Sequence, residues 1–288
     1  MLNEKYRGIA TQGFKKDVER LKKGEPVDYV IGWTEFLGCR IDLSCRPFIP
    51  RPETEYWVRQ AMKSLRAQRS NPVVTTQNLG IAAPRRNVGA RNDDDEVINC
   101  LDLFAGSGCI GIAILKHIPD VHLDFRERNG SFCDQIRKNL DANSIEPSRY
   151  RVIRSDVFSR MARRQNVPSP RYGNKLSFLS TIADKNEHYD CILANPPYGA
   201  EKRKTRVQKS VLKWEPKHAI FGGNDGLFYI KKILIEAPHY LKKGGKLFME
   251  FDSPQKKDID MILDQSRFSH YSFFRDQYGR WRYLVAIR

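Results

Sequence analysis

Apolar and polar positions alternate along this chain in two rhythms, and the rhythm predicts the elements. Phe14, Val18 and Leu21 recur at helical spacing among charged residues, which predicts one helix within residues 4–23. Gly24 and Pro26 close it. Tyr29 to Trp33 and Glu35 to Leu43 read as two short strands about a turn, a β-hairpin. The prolines of Pro47 to Glu55 give a stiff, extended segment. A helix starts near Pro52, where acids in the first turn suit its dipole, and continues through Tyr56, Trp57, Ala61 and Leu65.

Further on the runs shorten and alternate. Val97 to Phe104 reads as a buried strand leading through glycines to a helix from Ile112 to His117. Strand Val121 to Phe125, helix Ser131 to Ala142 and strand Tyr150 to Arg154 follow. Tyr189 to Ala194 is the next strand, and Asp225 caps a helix expected from Leu227 to Leu241. Strand Lys246 to Phe251, helix Gln255 to Leu263, and a closing hairpin of His270 to Phe274 with Trp281 to Ile287 complete the chain. Five strands alternating with helices, then an antiparallel pair, predict an α/β fold. It is a doubly wound, seven-stranded, mostly parallel sheet with an antiparallel C-terminal hairpin, preceded by a short helix and β-hairpin.

Two stretches lack any period. Residues 67–96 are rich in Asn, Arg, Gly and Pro, and residues 160–186 are basic; both read as insertions, the first disordered. The chain divides into residues 1–46, a short N-terminal helix and hairpin, and residues 47–288, one domain carrying both insertions.

Composition narrows the classes. No run approaches the ~18 apolar residues of a membrane span, and residues 1–24 show no secretory signal. A soluble, cytoplasmic monomer is expected. The six cysteines form no C-x-x-C pair, which predicts reduced, mostly buried thiols and no metal site. Net charge is +16, concentrated in Arg160, Arg163, Arg164, Arg171 and Lys175 and in Lys202, Arg203, Lys204, Arg206 and Lys209. Such a surface attracts phosphate or an acidic partner, or is simply a solvated basic face.

Candidate chemistry centres on Asn195-Pro196-Pro197-Tyr198, at the end of a buried strand. Paired prolines lock φ, remove two donors and force Asn195 out of the α region. The Asn195 side-chain oxygen and the Pro196 carbonyl can both accept from one –NH2 group, with the Tyr198 ring as an apolar wall. Gly106, Gly108 and Gly111 fit G-x-G-x-x-G between a strand and a helix, the order a nucleoside cofactor requires. Glu127, at the tip of the second strand, can take both hydroxyls of a ribose; Asp124 is its rival. Asp156 serves equally as a turn residue or as an acceptor for an adenine amino group beside Val157.

These residues resemble the class I methyltransferases that use S-adenosylmethionine, and more closely the release factor glutamine N5-methyltransferases. The likeness lies in Gly24-Glu25-Pro26 with Tyr29 to Gly32, Ile49 to Glu55, Asp102 to Gly108, Ser155-Asp156, Asn195 to Tyr198, Glu215-Pro216, Asp225-Gly226-Leu227, and Asp276-x-x-Gly279-Arg280-x-Arg282. It implies a Rossmann-like methyltransferase domain and S-adenosylmethionine as cofactor. The implied cofactor residues are Asp102, Phe104, Ala105, Gly106, Ser107, Gly108, Glu127, Asp156, Val157 and Asn195. Asn195, Pro196, Pro197 and Tyr198 are implied as catalytic and, with Arg51 and Glu53, as the holders of the glutamine in a Gly-Gly-Gln loop of a peptide chain release factor. Two features depart from the family: Phe104 replaces the usual first glycine, and the helical N-terminal domain is cut to about one helix. The alternative reading is an adenine N6-methyltransferase of DNA or RNA, which shares N-P-P-Y and explains the positive charge. A basic RNA-binding module with a retained fold is the non-enzyme rival.

Overall fold

A computed structural model describes residues 11–70, 97–159 and 188–288 of the protein. Helix α1 (Gln12–Lys22) and a short α2 (Val27–Ile31) precede a hairpin of β1 (Trp33–Phe36) and β2 (Cys39–Asp42), and α3 (Pro52–Ser70) follows. Then come β3 (Ile98–Leu103), α4 (Cys109–His117), β4 (Val121–Glu127), α5 (Gly130–Ala142), β5 (Tyr150–Arg154) and β6 (Tyr189–Ala194). The chain closes with α6 (Lys209–Trp214), α7 (Phe228–Glu236), β7 (Leu241–Glu250), α8 (Lys256–Leu263), β8 (His270–Arg275) and β9 (Trp281–Ile287).

The seven-stranded sheet has the order β5-β4-β3-β6-β7-β9-β8. The pairs from β5 to β7 are parallel, and β9 is antiparallel to both β7 and β8. This is the doubly wound arrangement that the alternation of runs predicts. Strand order reverses between β3 and β6, whose register pairs Leu103 with Ala194. The loops leaving those two strands therefore emerge side by side at their carboxyl ends, the place where such sheets bind ligands.

Each face of the sheet carries its own apolar layer, since a sheet covered by helices on both sides must be apolar on both. On one face Cys100, Leu123, Phe125 and Phe248 pack with Ile112 and Ile114 of α4, Ile136 of α5 and Trp57 of α3. On the other, Leu101, Leu103, Ile192 and Met249 pack with Ile230 and Ile233 of α7 and Ile259 of α8. Fully burying side chains such as Phe125 or Ile112 contributes roughly 1.5–3 kcal/mol each. Gly111 is required by this packing, because a Cβ there would stand 2.4 Å from the Phe125 ring.

The N-terminal hairpin shares the first of these cores through Phe36, Cys39, Ile41 and Leu43. It is bound to α5 by three amides spaced four apart, Gln135, Asn139 and Asn143, one helix face pairing with backbone. Asn139 accepts from the Asp42 N–H at 2.8 Å and donates to the Asp42 carbonyl at 3.2 Å and the Ser107 carbonyl at 2.9 Å. Asn143 pairs both backbone groups of Arg40, and Gln135 accepts from the Cys45 N–H. These three amides supply the exposed edge of β2 with the partners a further strand would give.

Several boundaries differ from expectation. Tyr29 to Ile31 belong to helix α2, not to a strand, and the hairpin begins at Trp33. A run this short fits either state by pattern alone, and Pro26 at its start and Gly32 at φ 92° after it close a single helical turn. Helix α7 ends at Glu236, before Pro238, and Leu241 opens β7 upstream of Gly244-Gly245. Helix α3 runs on to Ser70. The rest of the first insertion and all of the second, with Arg160 to Lys175, lie outside the described residues. Five cysteines are buried and Cys45 is exposed. No described helix is long and apolar enough to cross a membrane.

Asn139→Ala leaves buried backbone groups of Asp42 and Ser107 without partners. The expected loss is about 1–3 kcal/mol per orphaned group, measured as a lower urea midpoint with an unchanged slope.

Candidate active site

The glycine turn after β3 is built for close approach of its backbone. Gly106 and Gly108 stand at φ 56° and 80°, where glycine alone is unstrained. A Cβ at Gly106 would meet only the Phe104 carbonyl, at 3.8 Å, so the space beside it is open. Phe104 itself takes φ 59°, a costly conformation for a bulky residue. Its ring packs edge-on against Tyr229, with centroids 5.1 Å apart, and that contact holds the turn.

Glu127 ends β4 next to this turn. One carboxylate oxygen accepts from the Gly106 N–H at 3.0 Å, and the other accepts from the Asn129 N–H at 2.7 Å. Behind the turn, Asp102 accepts from the Gly111 N–H at 3.0 Å, while its second oxygen is buried without a hydrogen bond. Burial, with a smaller push from Glu127, raises the Asp102 carboxyl to about 8, against the pull of the Gly111 hydrogen bond.

The corner after β6 is held from behind by glycines. A Cβ on Gly222 would stand 2.2 Å from the Pro197 carbonyl, and one on Gly226 would stand 2.2 Å from the Tyr198 carbonyl. Gln255 donates to the Tyr198 carbonyl at 2.9 Å. No described residue donates to the Pro196 carbonyl or to the Asn195 side-chain oxygen. Asn195 Nδ2 instead donates to Thr54 Oγ1 at 3.3 Å.

Beneath this corner lies a buried carboxylate, Glu250, at the end of β7. It accepts from Thr54 Oγ1 and Trp57 Nε1 at 2.7 Å each on one oxygen, and from the Tyr198 hydroxyl at 2.8 Å on the other. Burial pushes the Glu250 carboxyl up, and those hydrogen bonds and the Arg282 charge pull it back. Burial and then the Glu250 charge push the Tyr198 hydroxyl up, so it remains a donor.

One cavity joins these parts. It measures about 1110 Å³ counted out to its open mouth, and Phe104, Ala105, Gly106 and Ser107 share it with Asn195, Pro196, Pro197 and Tyr198. Glu127, Ser155, Asp156 and Val157 line one end, and Phe48, Pro50, Arg51 and Thr54 line another part of the wall. Arg51 is held by a short ion pair to buried Glu215, which also accepts from the Ile49 N–H.

Three expected residues stand away from the cavity wall. Asp102 and Gly108 lie behind the glycine turn, Asp102 because its strand buries it completely and Gly108 because it caps α4. Glu53 faces outward and pairs with Arg280 at 2.7 Å, tying the proline segment to the terminal Asp276 turn. Asp124, the rival acid, is taken up by Arg151 and the Tyr189 hydroxyl. Sequence reasoning missed Thr54 and Glu250, and also Arg126. Arg126 is 3% exposed and lines the cavity, and its Nε and Nη1 have no partner among the described residues. Only Thr54 carried a signal, as part of the Ile49 to Glu55 segment.

The donor and acceptor set fits S-adenosylmethionine. Gly106 leaves room for backbone contact, Glu127 offers carboxylate oxygens beside the turn, and Arg126 adds buried donors without partners among the described residues. Residues 91–167 match the family model described as methyltransferase small domain. A release factor glutamine methyltransferase of Bacteroides thetaiotaomicron is 28% identical over 272 residues, 93% of this chain and 78% of that protein. One from Thermodesulfovibrio yellowstonii is 27% identical over 271 residues, 94% of this chain and 79% of its own.

Over most of its length the chain is similar to the release factor glutamine methyltransferases.

It is an enzyme of the methyltransferase class, with S-adenosylmethionine as cofactor. A bifunctional methyltransferase of Rickettsia felis is 27% identical over 99% of this chain, which spans 49% of that longer protein. The hMettl16 catalytic domain, solved with a MAT2A 3'UTR hairpin, shares the fold at a TM-score of 0.52 and 14% identity, over 88% of this chain and 75% of its own.

Two predictions follow from the methyltransferase's geometry. Gly222→Ala should push the Pro197 carbonyl away and abolish methyl transfer while costing only about 1–3 kcal/mol of stability, read from parallel activity and thermal-unfolding measurements. Because the folded state holds the Asp102 proton more tightly than the unfolded chain, the cofactor-free enzyme loses stability as pH rises from 3.8 to about 8. Asp102→Asn should flatten that part of the urea-midpoint profile.

Proposed function

We propose that this methyltransferase transfers a methyl group from S-adenosylmethionine to the side-chain amide nitrogen of the glutamine in the Gly-Gly-Gln motif of a peptide chain release factor. The observation that carries this reading is the single cavity shared by the glycine turn and the Asn195 corner. A donor-free corner suits a planar amide, because the Asn195 side-chain oxygen and the Pro196 carbonyl are open to both of its N–H groups.

When bound, S-adenosylmethionine supplies a methyl on positively charged sulfur. Ala105, Gly106 and Ser107 would hold its amino-acid part, Glu127 its ribose hydroxyls, and Asp156 and Val157 its adenine. The chain's own part is orientation and charge. An amide nitrogen is a poor nucleophile, and acceptors at Asn195 and Pro196 favour the positive charge that develops on it. Near-attack placement can remove roughly 7–11 kcal/mol of such a barrier. Tyr198 forms the wall against the amide plane, and Arg51, fixed by Glu215, borders the entry.

In this reading residues 47–288 are the methyltransferase domain and residues 1–46 an N-terminal helix and hairpin linker. The candidate site is built from one chain, which supports a monomer, and a release factor substrate supports a cytoplasmic location. One observation favours a second reading, N6-methylation of adenine in nucleic acid. Lys202, Lys204 and Arg206 in the segment that leaves the corner, and Lys209 at the start of α6, stand exposed.

Incubation with labelled S-adenosylmethionine and purified release factor should place one methyl on the Gly-Gly-Gln glutamine by mass spectrometry. Label on nucleic acid alone would select the second reading. Asn195→Ala should keep cofactor affinity by calorimetry and lose turnover by about a hundredfold or more, the scale of removing one oriented polar contact.

A further inference from the structure

The hydrogen-bond chain under the corner has a direction, and one donor-only group sets it. The Trp57 indole can only donate, so the Glu250 oxygen it meets at 2.7 Å must accept. Any proton held by Glu250 then sits on its other oxygen, toward the Tyr198 hydroxyl. Thr54 Oγ1 meets the accepting oxygen at 2.7 Å and must donate its single proton there. What remains on Thr54 is lone pairs, so the Asn195 group facing it has to be the –NH2.

We propose that Glu250 and Thr54 are positioning residues that lock the Asn195 amide with its oxygen toward the cavity, so that the corner admits a substrate –NH2 and rejects a carboxylate. An unlocked asparagine could turn over and present donors, because its two ends are nearly the same shape. Locked, its open oxygen faces a glutamine amide favourably and a glutamate carboxylate unfavourably. The chain also gives the segment from Ile49 to Glu55 a duty beyond lining the entry, since Thr54 lies within it. This inference rests on the amide reading of the substrate given above.

Thr54→Val keeps the volume and removes the acceptor. Two readouts test it. The first needs no substrate: the Asn195 side-chain amide protons, followed by nitrogen-edited NMR, should be protected from solvent exchange in the wild type and exchange at least about tenfold faster in Thr54→Val. The second compares release factor carrying Gly-Gly-Gln with a version carrying Gly-Gly-Glu, by binding in the presence of S-adenosylhomocysteine. The wild-type preference for glutamine should fall by about tenfold or more in Thr54→Val, with kcat lost more than KM is raised. Thr54→Ser should restore both readouts. Glu250→Gln should preserve them, since its amide oxygen can still accept from Trp57 and Thr54. Unchanged exchange and unchanged glutamine preference in a folded Thr54→Val protein would overturn the inference. Absence of any transfer to release factor by the wild type would instead overturn the substrate reading, and the exchange experiment would still decide the lock.

Discussion

The candidate active site depends on one feature of chain topology: β6 returns to lie beside β3 after β4 and β5 have been laid on β3's other side. Two loops far apart in sequence, the glycine turn and the Asn195 corner, thereby leave neighbouring strand ends. A methyl donor held by one and an acceptor amide held by the other would meet across a crevice that the sheet itself keeps open. No loop has to reach across the molecule, and neither binding segment needs regular structure of its own. The backbone groups of both can therefore be spent on ligands.

Stiffness at that crevice comes from different sources on its two sides. On the cofactor side it is backbone geometry, with Phe104 held at positive φ by Tyr229 and the turn anchored to Glu127 and Asp102. On the corner's side it is the two prolines, packed closely over Gly222, the Tyr198 carbonyl over Gly226, and the Glu250 network below. Glu250 joins β7, the N-terminal end of α3 and the corner through one buried carboxylate. That explains why the proline segment ahead of the domain and the strand at its far side belong to the same site. Asn139 adds a further tie, joining the small hairpin to the Ser107 carbonyl of the glycine turn.

Much of the fold was legible because parallel strands buried on both faces are continuous apolar runs. Cys191 to Ala194 is such a run, and Val97 to Phe104 is one interrupted only by Asn99 and Asp102; a glycine or proline follows each within two residues. Tyr29 to Ile31 was misread because three apolar residues cannot distinguish a strand from a helical turn. The row of Gln135, Asn139 and Asn143 reads in sequence as an ordinary polar helix face, although all three are buried on the hairpin.

For the site, the chain's own letters sufficed wherever a residue's chemistry is local. The proline corner from Asn195 to Tyr198 and the Gly106 turn take their shape from their own residues, so both could be singled out before any fold was known, and the structure sets them on one cavity. Glu127 could be placed because it ends a strand. Tertiary structure alone decided the rest. Asp102 and Glu53 stand off the cavity wall, Arg126 joins it, and Glu250 accepts from the corner's Tyr198 hydroxyl from over fifty positions away. A buried acid at a strand end looks like any other in sequence. Its function exists only once the fold brings Thr54, Trp57 and Tyr198 to donate to it, because a hydrogen bond's direction belongs to the pair and not to either residue.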